Sequence, residues 1–333
     1  MIEIGFKLKF IDKELNLVDI DAYSLRGESF YASILNDNQQ RLESNRKFIK
    51  KNDQFVCFLC GHIDGVIKLK WSENYTLIQC RKCEAISANI TPDCSQEIYK
   101  DVDNFKLYSE RISKYFNYRK KTFGQERYYY TIERLKLNNN KIKLLDVGCG
   151  VGYFLDLLKD KEIWARGLEV DPLQVKYCKD MGLNVSSNNI SDEPDGYYDV
   201  VTMFDVLEHL IEPVDFFLDI NKVLKPNGYI VMYTPNIHSI GFELMAEKQN
   251  LLHPFEHVCF YNKSSLDFLV LQTNFKIVSI EFFGLDIMDY LLYKEHQDNC
   301  KYTQSLQSMM TIIQACLDKL EISNHMRITL QKN

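Results

Sequence analysis

The chain has 333 residues, 46% hydrophobic and 26% charged, with a formal net charge of -6. That balance fits a globular protein long enough for one large domain plus a smaller module. No apolar run reaches the ~18 residues of a spanning helix. The opening MIEIGFKLKF also lacks a signal-peptide pattern, so no membrane association and a cytoplasmic location are the expectations.

The acidic balance disfavours a protein that grips long nucleic acid over a wide surface. The charge is uneven: residues 1–143 carry 25 Lys and Arg against 19 Asp and Glu, and residues 144–333 carry 15 against 27. Ten cysteines in a cytosolic chain point to metal ligands or buried thiols rather than disulfides.

Residues 1–50 read as an N-terminal extension. IGFKLKF and LNLVDI alternate around the polar turn IDKE, which predicts a β-hairpin, and LNDNQQRLESNRKFIKK follows as a helix or linker. Residues 51–100 hold a cysteine module, Cys57-x2-Cys60-x19-Cys80-x2-Cys83. That spacing suits a tetrahedral four-thiolate zinc site, and both pairs read as strand plus knuckle turn, the form of a zinc ribbon. With all four positions taken by protein such a zinc is structural, and it would supply folding energy that so short a module cannot draw from its own core. Cys94, Cys149, Cys178, Cys259, Cys300 and Cys316 lack partner spacing and read as buried thiols.

Residues 105–137 have helical spacing, with Gly124 as an expected joint. Tyr108, Tyr115, Tyr118 and Tyr128 to Tyr130 stand among nine Lys and Arg. Most of these tyrosines suit a packing seam.

From residue 142 onward strand and helix alternate. Strands are expected at 142–147, 164–169, 183–186, 198–203, 229–234, 276–283 and 326–331. Helices are expected at 151–160, 172–181 and 212–224, with a helical insertion at 286–320. This regularity predicts an α/β fold with a mostly parallel sheet covered on both faces.

LLDVGCGVGYFLDLL places Gly148, Gly150 and Gly152 between the first strand and its helix, at the carboxyl edge where open α/β sheets bind ligands. Glycines let a ligand touch backbone, and the helix N-terminus favours an anionic group. Tyr153 stands where the dinucleotide fingerprint needs its third glycine, and no G-K-[ST] follows, so a Walker loop is excluded.

The D-x-G-x-G-x-G pattern from Asp146 resembles motif I of class I S-adenosylmethionine-dependent methyltransferases. Glu169 in ARGLEVDP, DVLEH after the fourth strand, and VLKPNGYIVMYTPN extend the resemblance in order over residues 105–333. It implies a Rossmann-like seven-stranded methyltransferase sheet with a small N-terminal zinc-ribbon module, the arrangement of sugar- and metabolite-modifying members.

It further implies an S-adenosylmethionine site built from Asp146, Gly148, Cys149, Gly150, Gly152, Tyr153, Glu169, Val170, Asn189, Ile190 and Phe204. Glu169 would accept the ribose hydroxyls. Asn189 stands where family members often carry an Asp toward the adenine amino group. The helix before the first strand often roofs the cofactor in this family, which brings Arg119 and Arg127 into reach of cofactor or acceptor.

Methyl transfer to a hydroxyl gains from a positioned base. Asp205 and His209, four apart on an expected helix, are one source; His253 and His257 in HPFEHVCFY are another, with His257 preferred. Asp205, Glu208, His209 and His257 together resemble a divalent-metal constellation of small-RNA and some quinone methyltransferases. The sequence thus predicts a methyltransferase acting on a small-molecule or sugar hydroxyl, the sugar free or nucleotide-linked. An RNA methyltransferase guided by the ribbon and a non-catalytic binding protein on the same fold are the competing readings.

Overall fold

A computed structural model describes residues 21–27, 29–50, 55–72, 74–91, 115–137 and 141–333. The hairpin expected before residue 21, Cys94 and Tyr108 lie outside the described residues.

Helices α1 (Ala22–Arg26) and α2 (Phe30–Ser44) come first. The polar stretch from residue 35 largely continues α2. That helix is held by its buried Tyr31, which packs with Leu25, Met288 and Leu292. Strands β1 (Gly65–Lys70), β2 (Thr76–Cys80) and β3 (Ile86–Ala88) form an antiparallel meander that carries the cysteines.

Helix α3 spans 116–133. Its α-helical turns Phe116–Arg119 and Gln125–Tyr128 alternate with π-helical turns Lys120–Gly124 and Tyr129–Glu133. Gly124, expected as a joint, lies inside this continuous helix. A methyl there would meet Leu157 at 3.4 Å, an ordinary contact distance, and the helix does not break at this residue.

The alternating region opens with β4 (Leu144–Val147), α4 (Tyr153–Asp160), β5 (Ala165–Leu168), α5 (Pro172–Asp180) and β6 (Val185–Ser186). It continues through β7 (Tyr198–Phe204), α6 (Pro213–Val223), β8 (Leu224–Pro235), α7 (Ile240–Met245) and β9 (Cys259–Phe260). Helix α8 (Lys263–Thr273), β10 (Phe275–Phe283), α9 (Asp286–Asp298), α10 (Tyr302–Lys319) and β11 (His325–Lys332) complete it. The insertion at 286–320 is thus two helices, divided near Asn299, whose φ is +55°.

The main sheet has seven strands in the order β10-β11-β8-β7-β4-β5-β6. Only β11 runs antiparallel to its neighbours. All four residues of β4 are buried, as a central parallel strand requires, and Asp146 is the one polar residue among them. Helices α5 and α6 carry Pro in their first turn, where the missing N–H costs nothing, and Asp171 caps α5 by accepting from Leu173 N at 2.8 Å.

Strand order reverses between β4 and β7, which opens a crevice at their carboxyl ends. The fold is therefore an α/β Rossmann-like sheet. Strand β9 leaves it and joins the cysteine meander, giving a second sheet β1-β2-β3-β9.

Candidate active site

The glycine loop fills the carboxyl end of β4. Gly148, Gly150 and Gly152 have φ of +67°, +58° and +78°, the left-handed region that side chains resist. A Cβ at Gly148 would lie 2.5 Å from Val206 Cγ2, and one at Gly152 would lie 2.7 Å from Leu183 Cδ1. The loop is therefore glycine-rich for backbone and packing reasons as well as for ligand access.

Glu169 closes the loop from the end of β5. One carboxylate oxygen accepts from Gly150 N at 2.8 Å, the other from Asp171 N at 2.9 Å. Burial raises its pKa, and those two amide hydrogen bonds work in the opposite direction. Asp146 is buried below and accepts from Thr202 Oγ1 at 2.7 Å; burial pushes its carboxyl up to about 7.

Cys149 is buried among Leu155, Val175 and Cys178, beneath the loop. Val170 is 67% exposed at the rim. Asn189 is exposed and its backbone N–H is bonded to Asp192, while Ile190 is buried behind it.

Helix α3 roofs this cleft. The Arg127 guanidinium lies 4.9 Å from the Tyr153 ring and 4.2 Å from the Phe204 ring, and 3.8 Å from the Asp205 carboxylate. Its Nε is buried without a hydrogen-bond partner. A cation held over the N-terminus of α4 with unspent donors is a seat for an anion.

Residues 118–280 match the sequence profile of a methyltransferase domain family. A ubiquinone biosynthesis O-methyltransferase of Rickettsia typhi is 30% identical over 117 residues, covering 32% of this chain and 48% of that protein. Its mitochondrial namesake in Schizosaccharomyces pombe is 30% identical over 102 residues, covering 28% of this chain and 37% of that protein. The chain thus spans less than half the length of these curated relatives. Among solved structures, a SAM-dependent methyltransferase from Archaeoglobus fulgidus aligns over 68% of this chain and 99% of its own, at 21% identity and a TM-score of 0.48.

The family match over residues 118–280 covers just under half of the chain and takes in strands β4 to β8 of the Rossmann-like sheet.

The motif after β7 departs from expectation. Asp205 and His209 do not share an α-helix, because the segment is a single 3-10 turn, Leu207–His209. Asp205 precedes that turn with φ +60°, which turns its carboxylate toward His325 Nε2 at 3.3 Å and toward Arg127. Glu208, His209 and His257 instead converge, their ligand atoms within 4.8 Å of one another, and Asp205 is not part of that group.

The His257 Nδ1 lies 2.6 Å from the carbonyl oxygen of Leu251 and so donates to it, leaving Nε2 unprotonated 4.0 Å from Glu208. Burial, with His209 and His253 beside it, holds the His257 imidazole well below its usual range, and burial lowers His209 to about 4. Burial pushes the Glu208 carboxyl well up; its Oε2 accepts from Thr234, and its Oε1 has no partner. His253 stacks edge-on against His257 at 4.8 Å and is held by Arg41 of α2 at 3.3 Å.

In the cysteine module, Cys57, Cys60, Cys80 and Cys83 sulfurs also lie within 4.8 Å of one another, with Cys57–Cys83 and Cys60–Cys80 at 3.5 Å. Tetrahedral zinc with ~2.3 Å bonds needs sulfur edges of about 3.8 Å, so the group fits that ion. Each knuckle turns through a left-handed fourth residue, Gly61 and Glu84, whose N–H groups bond the carbonyls of Cys57 and Cys80.

Nothing local in the sequence singles out His325. It opens β11, and an antiparallel last strand begins where the parallel strands end, so strand order was the signal that could have found it. No described helix is long and apolar enough to cross a membrane.

Proposed function

We propose that the chain transfers a methyl group from S-adenosylmethionine to a hydroxyl of a small, ring-bearing molecule. The glycine loop tied to Glu169 carries the reading: one oxygen of that buried carboxylate accepts from Gly150 N, amid three left-handed glycines beside a helix N-terminus, while the other is held by Asp171 N. Arg127 and the start of α4 would hold the methionine carboxylate. Glu169 keeps lone pairs for two ribose hydroxyls. Val170 and Ile190 would flank the adenine.

S-adenosylmethionine supplies an electrophilic methyl on a sulfonium sulfur. The domain's task is to align the acceptor oxygen with it and exclude water.

A cavity of about 860 Å3 adjoins this cleft, reaching Tyr153 and Asp205 on one side and Met288 and Met310 of the insertion on the other. Tyr130, Tyr233 and Phe283 wall it. Arg327 inside it is already bound to Glu126, Glu281 and Tyr233. Aromatic walls suit a hydroxylated ring, phenol or sugar. The names of the two relatives, ubiquinone biosynthesis O-methyltransferases, support an oxygen acceptor on a small molecule.

Calorimetry of the zinc-loaded protein with S-adenosylmethionine tests the reading, followed by label transfer from methyl-tritiated S-adenosylmethionine to catechol and to a phenyl glucoside. Absence of cofactor binding would overturn it.

The unpartnered Glu208 oxygen beside a bare His257 nitrogen favours a divalent metal as a second component. Two imidazoles and one carboxylate suit zinc, iron or manganese. Elemental analysis should find metal beyond one zinc per chain, the excess lost in His257→Ala. In the ribbon, we infer a structural zinc that fixes β3 against β9.

A further inference from the structure

We propose that α10 of the helical insertion is a dimerisation element, docking antiparallel on the same helix of a second copy of this chain. Tyr302, Leu306, Met309, Ile313, Cys316 and Leu320 follow one another at intervals of 4, 3, 4, 3 and 4 residues. That is the a/d spacing of a coiled-coil seam, kept along all 18 residues of the helix and its C-cap.

The seam does not face the core. Leu306, Met309, Ile313 and Leu320 are exposed, Met309 by 52% and Leu320 by 66%, and Ile312 beside them by 63%. No other described helix exposes more than one large apolar side chain. The opposite face of α10 is the one used in folding. There Met310 packs with Leu25, Met288 and Leu292, and Gln314 donates to Asp286 and Asp318. A contiguous apolar row left in water marks an interaction surface.

The row itself selects a second copy as its occupant. Its spacing reads the same in both directions. A two-fold axis at Thr311 therefore sets Tyr302 opposite Leu320, Leu306 opposite Cys316 and Met309 opposite Ile313, apolar against apolar in every layer. Ile312 then meets its own copy beside the axis.

Charge agrees with that direction. The helix carries no Asp, Glu, Lys or Arg from Tyr302 to Leu317; Lys301 stands at its start, and Glu321, also exposed, just past its end. Antiparallel docking brings the Lys301 end of each helix, where the dipole is positive, beside the Glu321 end of the other. Parallel docking would set like ends together. A helix lying on a lipid surface would instead flank its apolar row with Lys and Arg, which this stretch lacks.

The helix is about 27 Å long. One helix pair of that length buries less than the roughly 1,600 Å2 of a standard stable interface, so the dimer exchanges with the single chain. Gln307, Met310 and Gln314 on the inner face of α10 line the cavity beside the cleft, so the second copy braces that wall from outside.

Sedimentation of the zinc-loaded full chain, without cofactor, tests this. Between about 1 and 100 µM its mass should rise from 39.2 kDa toward twice that value. Met309→Glu should weaken association by at least about tenfold, with an unchanged melting temperature. Adding Ile313→Lys to Met309→Glu should restore it, because only the antiparallel register sets position 309 against position 313 of the second copy. Leu271→Glu, at an exposed residue of α8, should leave the mass curve unchanged. A wild type that stays at single-chain mass throughout, or that sediments with anionic vesicles instead of pairing, overturns the proposal. So does a dimer that survives Met309→Glu, or a double variant that is not rescued. None of these readings depends on methyl transfer.

Discussion

Cys259 of the methyltransferase domain pairs with Ser87 of the cysteine ribbon in adjacent antiparallel strands, two residues beyond His257. Val258, between them, donates to the carbonyl of Glu208 at 2.8 Å, and its own carbonyl accepts from Ala88. The ribbon is thereby part of the wall that sets the Glu208–His257 spacing. Phe48, Tyr75, Leu77, Ile86, Phe255 and Phe260 form one buried cluster across the same seam.

Removal of zinc should therefore be felt in the active site. Cys60→Ser should lower bound zinc and cost at least about tenfold in kcat, while S-adenosylmethionine binding at the glycine loop stays near wild type. Elemental analysis with calorimetry and label transfer reads all three; full turnover by a zinc-free variant would leave the ribbon without a role in catalysis.

Glu169→Ala should damage both ligand and loop. It leaves Gly150 N and Asp171 N without their partner, each at roughly 1–3 kcal/mol when buried. S-adenosylmethionine affinity should fall by at least about tenfold, some 1.4 kcal/mol, with a lower unfolding midpoint. Calorimetry and urea titration check this, and an unchanged affinity would remove Glu169 from the cofactor site.

Gly148→Ala and Gly196→Ala separate backbone strain from contact. Both glycines have positive φ, +67° and +58°, a conformation that costs a side-chain-bearing residue roughly 1–2 kcal/mol. Only Gly148 has a neighbour within 3 Å, Val206; Gly196 has nothing within 4 Å. Gly148→Ala should be the more destabilising in urea, and Val206→Ala in the same chain should recover part of the difference.

Asp286 gives a pH signature away from the cleft. It accepts from Asn324 N, Gly241 N and Gln314, yet burial raises its carboxyl to about 6. The unfolded chain releases that proton near 3.9. Between those values the folded state holds more protons, so this contribution is whole below the lower value and is lost as pH rises through 6. The stability of wild type relative to Asp286→Asn should fall by roughly 2–3 kcal/mol between pH 3.5 and 7. Urea melts at intermediate pH check the slope, and a rising difference would contradict the raised value.

What the sequence determined by itself was periodic or local. The strands around Leu144–Val147 and Tyr198–Phe204, the glycines at alternate positions, Glu169 at the next strand end and the paired cysteines each declare themselves within a few residues. Such features follow from backbone sterics, side-chain burial and ligand spacing, all of which act at short range.

The tertiary structure decided what meets across the sheet. Asp205 and His209 are four residues apart, yet one left-handed residue and a 3-10 turn send them to different partners. His325 meets Asp205 only because β11 inserts antiparallel between β8 and β10. The ribbon reaches the Glu208–His257 wall only because two residues of β9 complete its sheet. Contacts separated by 120 or 172 residues leave no local pattern; they are set by strand order and loop closure, which are properties of the whole packed chain.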